Sequence, residues 1–202
     1  MKPRILLIIF ILIIVALIAV SVIFYIKFKK QALESVRLSE EKTTEVRRVI
    51  PKVTNIKVKL LFTSEEAPLL FIEEKEILTG DNIEDQCYDT IQELIKGPTS
   101  KKLIPTLPPE AKLNSLFITP DGTAFVDFSK EIIKEQSGGT EQELLALYSI
   151  VNTIILNFPS IKKVQILVNE MQKETLNGHI FIGVPLTYNK SLMSTEQNIN
   201  LK

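Results

Sequence analysis

The chain has 202 residues, with 24 Lys and Arg against 24 Asp and Glu and a hydrophobic content of 45%; that is room for one ordinary domain plus accessory segments. The zero net charge hides a division: residues 27–52 carry eight Lys or Arg against four Glu, whereas residues 53–202 carry 14 Lys, no Arg and 20 Asp or Glu, a net of −6. An acidic domain without arginine repels a polyanion and lacks the planar forks that grip phosphate, so nucleic acid is excluded as a partner. The single cysteine, Cys87, has no partner for an internal disulfide and stands far from the N-terminus, where a lipid-bearing cysteine would have to be.

A short tail, residues 1–4, carries Lys2 and Arg4. From Ile5 to Ile26 there are 22 residues without a charge. As a helix rising 1.5 Å per residue, such a run spans roughly 33 Å, enough for a hydrocarbon core of about 30 Å. A cleaved signal peptide is the rival reading, because Ala19 and Ser21 form a small-x-small pattern. The run nevertheless outlasts the roughly 7–15 apolar residues of a signal peptide, which favours an uncleaved transmembrane anchor. Positive charges flank both ends almost equally, so charge alone does not orient it. Residues 27–53 are charged, lack glycine, and read as a polar stalk with Pro51 as a stop.

The folded domain is expected over residues 54–187. Alternation of apolar and charged residues over 56–63 predicts a strand with Ile56, Val58, Leu60 and Phe62 inward and Lys57 and Lys59 outward. Residues 69–77 form a second strand. Asp81 or Asn82 then caps a helix ending at Gly97-Pro98, with Ile83, Cys87, Ile91, Leu94 and Ile95 on one stripe. Strands are expected at 113–119 and 123–128, joined by the turn triplet Pro120-Asp121-Gly122. The second of these buries either Ala124, Val126 and Phe128 or the opposite set. Thr140 and Glu143 read as a capping box opening a helix that runs to Phe158, with Leu144, Leu147, Val151, Ile154, Ile155 and Phe158 buried. Within it Asn152 can tie the helix to a neighbouring loop, and Thr153 can bond back to a carbonyl one turn earlier. Strands at 164–169 and 178–184 close the domain, and a polar tail, residues 188–202, is expected to fray. The order β-β-α-β-β-α-β-β predicts an α+β fold: a mostly antiparallel sheet with two helices on one face.

Five segments in this order resemble GerMN domains, named after a sporulation and germination protein. They are Ile95-Lys96-Gly97-Pro98, the stretch from Ile104-Pro105 through residues 107–113 (LPPEAKL), Phe125-Val126-Asp127-Phe128-Ser129, residues 143–154 (ELLALYSIVNTI), and residues 163–186. The resemblance covers about residues 54–187. It implies a compact domain similar to the ring-building motifs of envelope assemblies, tethered to the cytoplasmic membrane and lying outside it, with no catalytic residues attached to the family. This chain holds one copy where some relatives hold two. Phe181 also stands where relatives tend to have an acidic residue.

Nothing in the sequence composes an enzyme or a cofactor site. His179 is the only histidine, which excludes a His-His metal site and leaves a hydrogen-bonding role. Cys87 lies on the apolar stripe as a small hydrophobe. Asp81, Glu84, Asp85 and Asp89 form an acidic helix start suited to the macrodipole. Asp127 alternates out of phase with Val126 and Phe128, so exposure or a local backbone bond is expected, and Ser129 is placed to cap the turn that follows. The reading is a non-enzymatic scaffold binding envelope proteins or further copies of itself, with Lys57, Lys59, Asp127 and Ser129 as partner contacts. A module for a cell-wall glycan or small ligand is the alternative. Trp is absent and most Phe fall at core-phase positions, which tells against the stacking surfaces glycans use.

Overall fold

The computed structural model describes residues 53–133 and 139–195, together with Tyr25, Lys27, Lys29 and Lys30. The chain divides into two units, Met1–Ile50 and Pro51–Lys202. Apart from Tyr25, the apolar run 5–26 lies outside the described residues, as do most of the stalk and residues 196–202 of the tail. Among the described residues no helix is long and apolar enough to cross a membrane.

The second unit begins with a long hairpin, β1 (Thr54–Phe62) and β2 (Phe71–Thr79), paired antiparallel from Thr54↔Thr79 to Phe62↔Phe71. Helix α1 (Ile83–Lys96) follows, capped by Asn82, whose side chain accepts from the Asp85 N–H at 2.7 Å. It stops at Gly97, which takes φ +88°, a conformation that costs glycine nothing. The expected stripe is present, with Cys87, Ile91, Leu94 and Ile95 buried. Strands β3 (Leu113–Ile118) and β4 (Thr123–Phe128) form a second hairpin. A 3-10 turn, Lys130–Ile132, leads towards helix α2 (Gly139–Asn157), and then come β5 (Lys163–Val168) and the two-residue β6 (Met171–Gln172).

The order β-β-α-β-β-α-β-β is the one expected, but the strands make two sheets, not one. The hairpin β1–β2 stands alone, and a second sheet has the order β3-β4-β5-β6. Its centre is a parallel pair, β4 with β5, in register from Thr123↔Lys163 to Phe128↔Val168; parallel neighbours need a crossover, which α2 supplies. The last strand is also displaced. It lies at Met171–Gln172, while 178–184 is irregular, carrying the isolated bridge Thr175↔Phe181 and accepting side-chain bonds from Gln165 and Gln172 at the carbonyls of Ile182 and Gly183. Gly178 and Gly183 in that segment offer no side chain to a ladder.

Two helices on one face of a single sheet is therefore replaced by two helices joining two sheets. α1 packs on β1, β2 and β3, and α2 packs on β1, β5 and α1. In α2 the five residues Ile150, Val151, Asn152, Thr153 and Ile154 are all buried, so the helix is enclosed on every side over that stretch, a state its apolar sequence permits. Leu144, expected inside, is half-buried, and Leu145 takes the buried place beside Leu61 and Leu70. The main core gathers Leu60, Phe62, Ile91, Phe128, Ile150 and Ile154, each almost fully buried, and each such side chain contributes roughly 1.5–3 kcal/mol of transfer free energy.

Candidate functional site

Among the described residues three buried carboxylates account for much of the polar interior, and each holds backbone. Glu73 on β2 accepts from the N–H groups of Thr99 (2.9 Å) and Ser100 (2.9 Å), fixing the chain beyond α1. Glu143 on α2 is 2% exposed and accepts from Leu176 (3.2 Å), Asn177 (3.0 Å), His179 (3.0 Å) and Ile180 (3.2 Å). The expected capping box with Thr140 is thus a different device. The helix begins at Gly139, and Glu143 turns away from its own N-terminus to organise the loop 176–180. Sequence reasoning missed this role, because its only local signal, an acid three residues after a threonine, has a commoner meaning.

Asp127 is the third, and it corrects an expectation. It is 2% exposed instead of solvent-facing: one oxygen accepts from the Glu170 N–H at 2.7 Å, the other from the Asn114 side-chain amide at 2.9 Å. Asn169 and Glu170 have φ of +50° and +63° and connect β5 to β6 through the pair Val168↔Met171, a two-residue hairpin loop with both central residues left-handed. The carboxylate steadies that turn from the neighbouring strand. Ser129 occupies the N-cap position of the 3-10 turn but makes no cap bond there. Its hydroxyl accepts from the Lys112 N–H at 3.1 Å and helps hold the Glu131 carboxyl below its usual pKa. Asp127 and Ser129 do lie at one corner, but both are engaged in structure, and Asp127 is out of a partner's reach.

The outer face of β1–β2 is different. Lys57 and Lys59 are exposed, as expected. Across the ladder they stand opposite Glu76 and Glu74, and the Lys57 ammonium meets Glu74 diagonally at 2.5 Å. The hydrogen bond with Glu74 raises the pKa of Lys57, and the same bond lowers that of Glu74. The face is thus a column of lysines beside a column of glutamates. The backbone of Lys59 is not free. Its N–H donates to Asn157 Oδ1 at 2.8 Å and its carbonyl accepts from Asn157 Nδ2 at 2.7 Å, so the last residue of α2 closes β1's outer edge there. At Thr63 the same edge is closed by Ile104 through bonds of 2.8 and 3.3 Å.

Asn152 does tie its helix to a loop, exchanging bonds of 2.8 and 2.9 Å with the backbone of Asn189. Thr153 does not bond back; its hydroxyl is buried without a partner. The segment expected to fray packs on as far as Ser194. Leu70 donates to the Leu192 carbonyl at 2.8 Å and accepts from Ser194 at 2.9 Å.

A cleft of about 850 Å³ opens between residues 104–109 and α2, with Gln142, Asn177 and His179 among its lining. Glu143 also borders it, with all its acceptor capacity turned to loop N–H groups. The His179 ring is exposed, and among the described residues no acid or nucleophile bonds to it. Cys87 is fully buried, and desolvation, with Glu84 nearby, pushes its thiol up to about 12; a thiol so protonated is no nucleophile. Among the described residues no three His, Cys, Asp or Glu side chains converge as a metal site. Among the described residues two phenylalanines do escape the core, Phe117 at 61% and Phe181 at 58% exposure.

No curated protein matches the chain. A candidate lipoprotein from Clostridium perfringens, solved at 2.5 Å, is 34% identical over 67% of this chain and 87% of its own, with a TM-score of 0.48. The tandem GerMN domains of the sporulation protein GerM from Bacillus subtilis match at 20% identity over 66% of this chain and 45% of theirs, TM-score 0.51. The first GerMN domain of that protein matches at 20% over 67% and 98%, TM-score 0.50. These last two show the fold. The family model for Germane, sporulation and spore germination, matches residues 72–174, from the start of β2 past the end of β6 and so through the core of the domain, half of the chain: the protein belongs to the Germane family.

Proposed function

We propose that this protein is a non-enzymatic envelope scaffold, anchored in the cytoplasmic membrane by residues 5–26 with its GerMN domain outside, and that it works by protein–protein contacts through the outer face of β1–β2. The observation that carries the reading is the contrast between interior and surface. Glu73, Asp127 and Glu143 are engaged with backbone N–H groups, whereas Lys57, Lys59, Glu74 and Glu76 stand in solvent as an ordered array of charge. Such an array selects partners by complementary potential while adding little to stability. Tethering to a plane raises the local concentration of neighbours, so weak contacts suffice to assemble. Asp127 has no part in this surface, its carboxylate being internal.

Crosslinking in intact membranes followed by recovery of the full chain tests this. The double variant Glu74→Gln, Glu76→Gln should melt within about 1 kcal/mol of the parent and lose crosslinked partners; unchanged recovery of every partner would exclude the face. Orientation is tested by fusing alkaline phosphatase after Lys202, which should be active, since the enzyme matures only outside the cytoplasm; a stable but inactive fusion would reverse the topology.

A further inference from the structure

The two edges of the β1–β2 hairpin are unequal. Alternation along β2 sends the backbone groups of Leu70, Ile72, Glu74, Glu76 and Leu78 away from β1. Two independent bonds fix that phase: Leu70 pairs outward with Leu192 and Ser194, and Lys59, opposite Glu74, pairs outward with Asn157. On β1 the outward groups are met at Lys59 and Thr63. On β2 they are met at Leu70, and among the described residues nothing pairs with the backbone of Ile72, Glu74, Glu76 or Leu78. That leaves four alternate residues of open edge, in a strand whose opposite face is anchored by Glu73 and Lys75.

We propose that β2 is a strand-addition site for an extended protein segment carrying two basic residues at alternate positions between apolar ones. Charge and shape along the edge specify that segment. Ile72 and Leu78 bracket the open stretch; Leu78 is 72% exposed, unusual for a leucine beside unpaired N–H and C=O groups and costly to leave in water. Between them stand Glu74 and Glu76, both exposed. An added strand places side chains about 5 Å from its neighbour's on the same face, so the acidic column would lie directly beside its third and fifth residues. Lys57 and Lys59 sit on the far side of those glutamates, which makes the acidic column the one an incoming strand meets first. A second copy is the wrong occupant: pairing β2 with its own image sets glutamates beside glutamates, and like charges across a ladder are destabilising. The backbone supplies affinity and the two carboxylates supply selection. This rests on the assembly reading above and names its partner's chemistry.

The test uses the full chain in detergent and a seven-residue capped probe with valine at its ends, lysine at positions three and five, and threonine between. Glu76→Pro is the decisive variant. The Glu76 N–H points away from β1, so proline there removes an outward donor and leaves the hairpin ladder intact. The expected result is saturable binding of the lysine probe, weakened at least tenfold by Glu76→Pro and by a probe with glutamates in place of lysines, with thermal melting of the variant monitored alongside. The variant Glu74→Lys, Glu76→Lys should invert the preference between the two probes, which guards against a proline variant that fails to fold. Equal binding to the parent and to a folded Glu76→Pro variant, or no binding at all, would overturn strand addition. So would a dimer of the parent that Glu76→Pro dissociates, since that makes the occupant a second copy. Membrane crosslinking of the parent separates the two readings: partners still recovered while the probe fails would remove strand addition alone.

Discussion

Glu143 is the residue whose removal should be felt most. Its two oxygens satisfy four N–H groups of one loop, and a buried donor left without a partner costs about 1–3 kcal/mol. Glu143→Ala should therefore lose at least about 3 kcal/mol in denaturant unfolding, with the loop 176–180 losing hydrogen-exchange protection first. Asp127→Ala should cost about 2 kcal/mol and loosen the Asn169–Glu170 turn; a change below about 0.5 kcal/mol would mean that turn stands unaided. Gly122 has φ +82°, and an added Cβ would lie 2.6 Å from the Ser160 carbonyl oxygen. Gly122→Ala should cost more than about 2 kcal/mol, since both the left-handed backbone and the contact oppose it. These residue roles were the least legible in the sequence. The local environment of Glu143 reads as a cap and that of Asp127 as exposure or a local backbone bond, and the backbone groups they actually hold lie 33 to 43 residues away, where no local pattern reports them.

At the scale of elements the sequence was more informative. Helix α1 was readable to its cap and its glycine stop because both signals are local. The five longer strands were readable from alternation and turn residues, but their partition into two sheets was not, since period-2 patterning names a face and never a neighbour. Two sheets also explain why α2 is buried all round over residues 150–154, where the sequence reading places only Val151 and Ile154 inside. Between elements, Glu93 on α1 joins Lys75 on β2 at 2.7 Å and also meets Lys96. Partial burial works to raise the Glu93 pKa, but bonds from the two lysines outweigh it and hold the carboxyl below its ordinary value. A depressed carboxylate stabilises the fold at pH values above its unfolded pKa, roughly 4.3, and that contribution is lost as pH falls through the folded value. Lys75→Met should thus cost up to about 1 kcal/mol at pH 7, and the gap from the parent should close below about pH 4.

For the whole molecule, the division at residue 50 predicts that residues 53–202 alone melt cooperatively without detergent, because a single continuous core links both sheets through the helices. A fragment unfolded by circular dichroism while the full chain folds would show that the first unit is needed. The wiring of that core has a temporal side. The hairpin at the start of the domain is closed by Ile104, by Asn157 at the end of α2 and by Leu192 and Ser194 near the C-terminus. A chain emerging N-terminus first therefore carries β1 without its last edge partner until residue 157 has appeared, and Leu70 without its own until residue 194 has, so folding waits on contacts of high sequence separation. Any factor that shields the nascent chain would meet this hairpin before the rest of the domain and release it last.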